Sequence, residues 1–548
     1  MKNGGQLVVD ALQCFGTERV FCVPGESYLP VLDALYDADI ATTVCRQEGG
    51  AAMMAEAWGK LTGQPGICLV TRGPGATNAS AGVHIASQDS TPMILLIGQI
   101  ATHRRHREMF QEVDYQQFFG GMAKWVAEIE SAERVPEMMS RAWHVATSGR
   151  PGPVVLALPE DTLQQHADIE SKITLQQTET YPGVELIQQM QSRIEQAERP
   201  LAIVGGSRWS AEASAQFTRF AERFGLPVAC SFRRQMLFDH THANYVGDVG
   251  LGINPALKDL IVNTDLLLLV GCRFSEIPSQ DFTLLDVPDP ACELVHVYPD
   301  AAELGKLYVP SLAINASAAA FCQSVDNLLP NSEHSRQSEI DSAHQSYKSW
   351  SSLEHALPTA DTMKQVMMHL IEELASDSII CNGAGNYASW VHRFYPFTQY
   401  GTQLAPTSGS MGYGLPAAVA AKLAHPDKTV LAFAGDGCFQ MTMQEFGTAV
   451  EFGAAVIVLV IDNGMYGTIR MHQEQNYPGR VSATDLVSPD FAALARSYGA
   501  YAATVEHGSE FPAAFKAACE SATASLIHIK TNPDALTPTL SLASFADC

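Results

Sequence analysis

The chain has 548 residues, 46% of them hydrophobic and 17% charged, with 34 Lys+Arg against 59 Asp+Glu and a formal net charge of -25. That length exceeds a single hydrophobic core and implies about three domains. The apolar content excludes wholesale disorder, and the acidic surface repels nucleic acid, so an anionic ligand has to be neutralised locally by a metal ion or by backbone N–H groups.

The N-terminal MKNGGQLVVDALQCFG has no apolar core between a basic run and a cleavage site, so no signal peptide is expected. No apolar stretch reaches the ~18–20 residues of a membrane helix, and the longest, around 454–461, is strand-sized. The twelve cysteines are scattered without a CxxC pair, which points to reduced thiols in a cytoplasmic protein rather than to a disulfide framework or a zinc site.

Along the chain, three segments alternate short apolar runs with amphipathic helices, the pattern of parallel sheets with helical crossovers. The first has predicted strands at 19–23, 42–45, 67–71 and 93–97, closes near GRPGPVVLALPED (149–161), and runs into a polar linker at 163–182. The second has strands at 201–204, 227–230, 266–270 and 294–297, and the polar stretch 331–352 is the second linker. The third has strands at 378–381, 429–434, 455–461 and 525–529. The expected architecture is α/β, with three doubly wound parallel-sheet domains over residues 1–165, 183–330 and 355–548.

The third segment carries the strongest chemical motif, TVLAFAGDGCFQMTMQEFGTAVEFGAAVIVLVIDNGMYG (429–467). It reads as strand, Gly-Asp-Gly, helix, strand, Asp-Asn. Asp436 ends one strand and Asn463 the next, 27 residues later. One right-handed crossover of that length brings both side chains to the same carboxyl edge of the sheet, where open α/β sheets bind ligands. A carboxylate and an amide oxygen are hard ligands suited to Mg²⁺, which completes its shell with phosphate oxygens and water. Gly435 and Gly437 let a diphosphate approach the backbone, and the N–H groups opening the next helix, from Cys438 on, point at it.

This motif resembles the cofactor signature of the thiamine-diphosphate enzymes, with Asp462 standing where the family usually has the first of two Asn. The resemblance implies Mg²⁺ held by Asp436, Asn463 and the backbone carbonyl of Met465. In QEGGAAMMAEAWGKL, after TTVCR, Glu48 falls in the first turn of a helix, where an acid complements the helix dipole. The resemblance makes it the essential glutamate, which hydrogen-bonds the aminopyrimidine and drives the tautomer that deprotonates the thiazolium C2. An Ala/Met-rich setting would favour that proton exchange. Close relatives usually have His before it; here it is Gln47. In SGSMGYGLPAAVAA (408–421) the resemblance makes Met411 the wedge between the cofactor rings and sets Gly409 against the pyrimidine. Gly385, Asn386 and Tyr387 fall where relatives contact the diphosphate.

The resemblance covers nearly the whole chain and runs closest to acetolactate synthase catalytic subunits, on RGPGATNASAGVHIASQDSTPMILLIGQI (72–100), FQEVD (110–114) and SGRPGPVVLALPED (148–161). In that group the equivalents of Gln111 and Lys124 line the route to the cofactor, although Lys124 also reads as a solvated surface lysine. Two departures concern the acceptor. GCRFSEIP keeps Arg273 but has Ile277 at the position that grips the acceptor carboxylate, and YGTIRMHQ has His472 where a Trp shapes its pocket. An alkyl side chain cannot replace a bidentate clamp.

The resemblance thus implies a thiamine-diphosphate- and Mg²⁺-dependent carboligase or decarboxylase of 2-oxo acids, in which the cofactor is the electron sink. The alternatives are a decarboxylase or 2-hydroxyacyl lyase with a different acceptor, or a non-catalytic relative, against which the intact Glu48, Asp436 and Asn463 speak. FAD in the middle segment, near IVGGSRWS (203–210) and VGCRFSE (270–276), stays open. A homodimer or homotetramer with active sites shared between subunits is also implied, because one cofactor must touch both Glu48 and Asp436.

Overall fold

The computed structural model describes residues 1–169, 178–331 and 336–545. Three six-stranded sheets, each wholly parallel, follow one another along the chain, and a short antiparallel pair, Lys2–Asn3 with His166–Ala167, closes the first domain. The first and third sheets share one strand order: second, first, third, fourth, sixth, fifth in chain sequence. The middle sheet runs third, second, first, fourth, fifth, sixth. The expected α/β architecture of three parallel-sheet domains is the one observed.

Elements used below are helices α1 (Glu48–Thr62) and α2 (Pro74–Asp89) in the first domain. The middle domain supplies strands β1 (Pro200–Val204), β2 (Val228–Ser231) and β3 (Leu266–Val270). The third supplies β4 (Ile379–Asn382), α3 (Gly414–Ala424), β5 (Val430–Gly435), α4 (Asp436–Gln440), α5 (Glu445–Glu451), β6 (Ile457–Asp462) and β7 (Ser525–Lys530). Runs such as VLAFAG and IVLVID are buried at every position, as strands covered on both faces must be.

Five strands escape the sequence reading: Trp125–Glu128, Tyr245–Val249, Leu312–Asn315, Gln403–Leu404 and Tyr501–Val505. These five lie at sheet edges, where half-exposed positions or a two-residue length break the apolar run; Pro153–Pro159, read only as the close of the first segment, is a further strand, inside its sheet and buried throughout. A second difference is the expected linker at 331–352: its described part forms the helix Gln337–Trp350. Ile340, Ala343 and His344 make its narrow buried stripe, too thin to stand out in a polar segment, and His344 Nδ1 shares a 2.8 Å hydrogen bond with Tyr245 O. Of the first expected linker, residues 170–177 lie outside the described residues.

One continuous core joins the first and third domains through α1, α2 and α3. Small residues make this close approach feasible: a Cβ added to Gly82 would stand 2.4 Å from Ala52 Cβ. Among the described residues no helix is long and apolar enough to cross a membrane, and the ten described cysteines other than Cys14 are free.

Candidate functional site

β5 and β6 are adjacent, with Gly435 opposite Ile461, so their ends deliver Asp436 and Asn463 to neighbouring positions. Asp436 is the first residue of α4 rather than the last of a strand, and Asn463 follows β6 by one residue. The crossover expected as one helix is two, α4 and α5, separated by residues 441–444.

A cleft of ≈ 240 Å³ opens at this edge. Its wall includes Gly435, Asp436, Gly437, Cys438, Asn463 and Met465, together with Gly385, Asn386, Tyr387, Gly409 and Met411 from the loops after β4 and before α3. Gly437 could be no other residue without rearrangement, because a Cβ there would meet the Tyr466 ring at 2.6 Å. Gly385 has φ +147°, which favours glycine. Cys438 binds the two sides together: its sulfur accepts from Tyr387 Oη and from Gly412 N, both at 3.1 Å, and so fixes the turn that carries Met411.

Asp436 is 2% exposed. Its Oδ1 accepts from Gly437 N at 2.8 Å and its Oδ2 from Gly464 N at 3.1 Å. Burial, with the nearby Asp462 carboxylate adding to it, pushes the Asp436 carboxyl up to about 6. Asp462 takes the opposite course. Burial works to raise it, but hydrogen bonds from His528 (2.7 Å) and Lys530 (2.6 Å) outweigh that and hold it well below the ordinary carboxylate range. Lys530 is its partner across the β6–β7 ladder. The departure from the family's Asn pair is therefore compensated by two residues of the next strand.

This donor set fits a cation bridging to a diphosphate. Both carboxylates are buried, and among the described residues Asp436 has no cationic side chain among its bonded partners. Among the described residues no cluster of three or more His, Cys, Asp or Glu could hold a metal alone. A hard ion here would draw its remaining ligands from amide and carbonyl oxygens, phosphate and water.

Glu48 and Gln111 do not line this cleft. They come together elsewhere, at the start of α2. A Cβ on Gly75 would lie 3.4 Å from Glu48 Oε1, and one on Gly73 would lie 2.7 Å from Gln111 Cβ. Asn78 Nδ2 donates to Glu48 Oε2 at 3.0 Å, and Gln111 holds φ +63°. Lys124 is remote from both in its bonding: Nζ donates to Val145 O (2.5 Å) and Ser148 O (2.7 Å), at the end of the helix Val135–Thr147. Ile277 and Arg273 line a chamber of ≈ 80 Å³ in the middle domain, and His472 is exposed on the helix Gly467–Asn476, outside the cleft wall.

Sequence reading passed over Glu445. It is fully buried at the start of α5 and accepts from the backbone N–H groups of Gln47 (2.9 Å) and Arg46 (3.2 Å), so it fixes the turn that presents Glu48. Its signal was an acid among the apolar residues of a crossover. Also unforeseen is the outer wall of the cleft, which includes Thr359, Met363, Thr531 and Leu536 from the segments before β4 and after β7.

Comparison with known proteins gives the same three-part division. The family model described as thiamine pyrophosphate enzyme, N-terminal TPP binding domain, matches residues 2–118; the central domain of that family matches 187–325, and its C-terminal TPP binding domain 383–529. The acetolactate synthase isozyme 2 large subunit of Escherichia coli is 30% identical over 96% of this chain and 95% of its own. The probable acetolactate synthase large subunit of Methanocaldococcus jannaschii is 30% identical over 97% and 92%, and the acetolactate synthase large subunit of Corynebacterium glutamicum 31% over 94% and 84%.

Proposed function

Because the chain belongs to the thiamine pyrophosphate enzyme family, we propose that it is a Mg²⁺-dependent carboligase or decarboxylase acting on 2-oxo acids, in the manner named for its acetolactate synthase relatives. The observation that carries this reading is the cleft. Asp436, Asn463 and Met465 stand at one sheet edge beside glycines, where a cation and a diphosphate can be held together. When bound, thiamine diphosphate supplies the electron sink for cleavage next to a carbonyl.

The remaining work falls to the chain. Asp436 and Asn463 orient the ion, Met411 shapes the cleft wall, and Glu48, held by Asn78, takes and returns a proton at its free Oε1. Glu48 and Gln111 sit apart from the cleft in one chain, which supports a homodimer, or a dimer of dimers, whose two-fold relation completes each cleft with the neighbour's first domain.

Among the described residues lining the cleft there is no Lys, Arg or His, and Ile277 stands where a carboxylate clamp is expected. This favours a second reading, in which the fragment is protonated to an aldehyde or passed to an acceptor without a carboxylate. Product analysis with pyruvate and a panel of 2-oxo acids tests both. Acetolactate supports the first, aldehyde or a neutral acyloin the second, and no turnover of any 2-oxo acid removes the proposal.

A further inference from the structure

The middle sheet has the strand order of the dinucleotide-binding folds, with its chain reversal between β1 and β3. In that fold the dinucleotide usually meets a glycine-rich turn after β1, lies in the crevice between the two strand-end loops, and has its ribose held by an acid after β2. None of the three is present. The turn reads Gly205-Gly206-Ser207-Arg208-Trp209-Ser210, without glycine at the third position of the fingerprint. The two loops touch, since a Cβ on Gly206 would fall 1.7 Å from Gly271 O. β2 ends at Ser231 and continues into Phe232 and Arg233, with no carboxylate.

Side chains of the protein occupy the crevice instead. Trp209 is 8% exposed, and its Nε1 donates to Gly205 O at 2.8 Å. Arg234 donates from Nε to Gly206 O (3.0 Å) and from Nη2 to Asp89 O (3.4 Å), with the Asp89 carboxylate 3.9 Å away. Arg273 donates to Gln88 O at 2.6 Å. The space left is two chambers of ≈ 80 and ≈ 230 Å³, with Arg234 in the wall of both. Asp89 Oδ1 in turn accepts from Thr407 N at 2.8 Å and from the Thr407 hydroxyl, at the start of the turn that carries Gly409 and Met411.

We infer that this chain holds no flavin dinucleotide, and that its middle-domain crevice is converted into a tie, Arg234 to Asp89 to Thr407, that positions the 408–412 turn of the cofactor cleft. Arg234 and Thr407 act as positioning residues. The flavin test is independent of the carboligase reading. Protein purified and then denatured should release no flavin by absorbance, and added FAD should cause no saturable change in tryptophan fluorescence; stoichiometric release or saturable binding overturns the first half.

For the second half, thiamine diphosphate is titrated calorimetrically in the presence of Mg²⁺. Arg234→Ala should weaken affinity about tenfold, the scale of a lost supporting contact, and Arg234→Lys should recover part of it. Thr407→Val, which keeps the buried charges paired, should weaken it by a smaller factor should Arg234→Ala not fold. Unchanged affinity in folded Arg234→Ala or in Thr407→Val overturns the tie.

Discussion

At the edge of the third sheet the strand-end loops stand around a cleft of ≈ 240 Å³, with an acid and an amide brought side by side from neighbouring strands. At the same edge of the middle sheet the loops after β1 and β3 touch, and tryptophan and arginine fill what lies beside them. Both sheets are parallel, and the strand order reverses between β1 and β3 in the middle sheet and between β4 and β5 in the third, so topology creates the place for a ligand in each. Residue size at a few loop positions then decides whether the place is open. Gly435 and Gly437 stand in the cleft wall without side chains, whereas Arg208 and Trp209 at the turn after β1 bring bulk.

The largest effect is expected from removing the acid at the open edge. Asp436→Ala loses an anionic ligand and the acceptor for Gly437 N and Gly464 N together. Its Mg²⁺-dependent affinity for thiamine diphosphate should fall about 100-fold or more, at or beyond what loss of a supporting group costs. Calorimetry with and without Mg²⁺ checks this, and unchanged affinity would remove the proposed metal site.

Next comes Glu48→Gln, which keeps hydrogen bonding but cannot relay a proton. Turnover should drop by roughly 10²–10⁴ while cofactor affinity stays near that of the parent. Near-normal turnover would return Glu48 to a helix-start acid. The pair also tests assembly. Mixing inactive Glu48→Gln with inactive Asp436→Ala subunits should restore up to one working site per heterodimer. No recovery after verified exchange would place both residues in a site within one chain.

A smaller loss is expected from Glu445→Gln. An oxygen at the Oε1 position still accepts from Gln47 N, but the charge is lost and the new NH₂ at the Oε2 position faces Arg46 N, so the turn before Glu48 loosens. Turnover should fall about tenfold, with thiamine diphosphate affinity little changed. Equal loss in both would mean that Glu445 supports the cleft rather than Glu48.

How much of this was legible in the sequence follows from how local each signal is. Asp436, Asn463 and the glycines around them lie within one crossover, so their spacing alone brings them to one edge, and central strands such as IVLVID announce themselves by unbroken apolar runs. The 441–444 break, the edge strands and the Gln337–Trp350 helix were hidden because half-exposed segments mix polar with apolar residues. The contact of Glu445 with Gln47 spans 398 positions, and no pattern along the chain encodes it. The filled crevice was hardest to read. A Gly-Gly after a strand is shared by open and closed turns, and only the packing of Trp209 and Arg234 separates them.

The mildest test is pH, which probes the middle domain through two buried histidines, one of them behind the closed edge. His296 Nε2 shares a 2.9 Å hydrogen bond with Cys272 O, in the loop after β3. His240 stacks on Tyr245 with ring centroids 4.1 Å apart and shares a 3.1 Å hydrogen bond with Gln235 O. They are 5% and 3% exposed, and burial lowers them to about 4 and about 3. Their folded values lie below the unfolded one near 6.5, so the folded state favours the neutral rings. Their contribution is whole above about pH 7 and is lost as pH falls through 6.5, down to about pH 4 for His296 and about pH 3 for His240. At pH 6 each should cost about 0.8 kcal/mol relative to high pH. Burial also lowers His392 to about 3, which adds a third such cost, and raises Asp248 to about 7 and Asp436 to about 6, whose proton uptake over the same range offsets part of it. Thermal melts of the parent and of His296→Asn at pH 7.5 and 6 isolate one ring, and the variant should lose about 2–3 °C less than the parent over that range. Equal falls in the two would mean that the His296 ring is hydrated, and that the middle edge is looser than its packing implies.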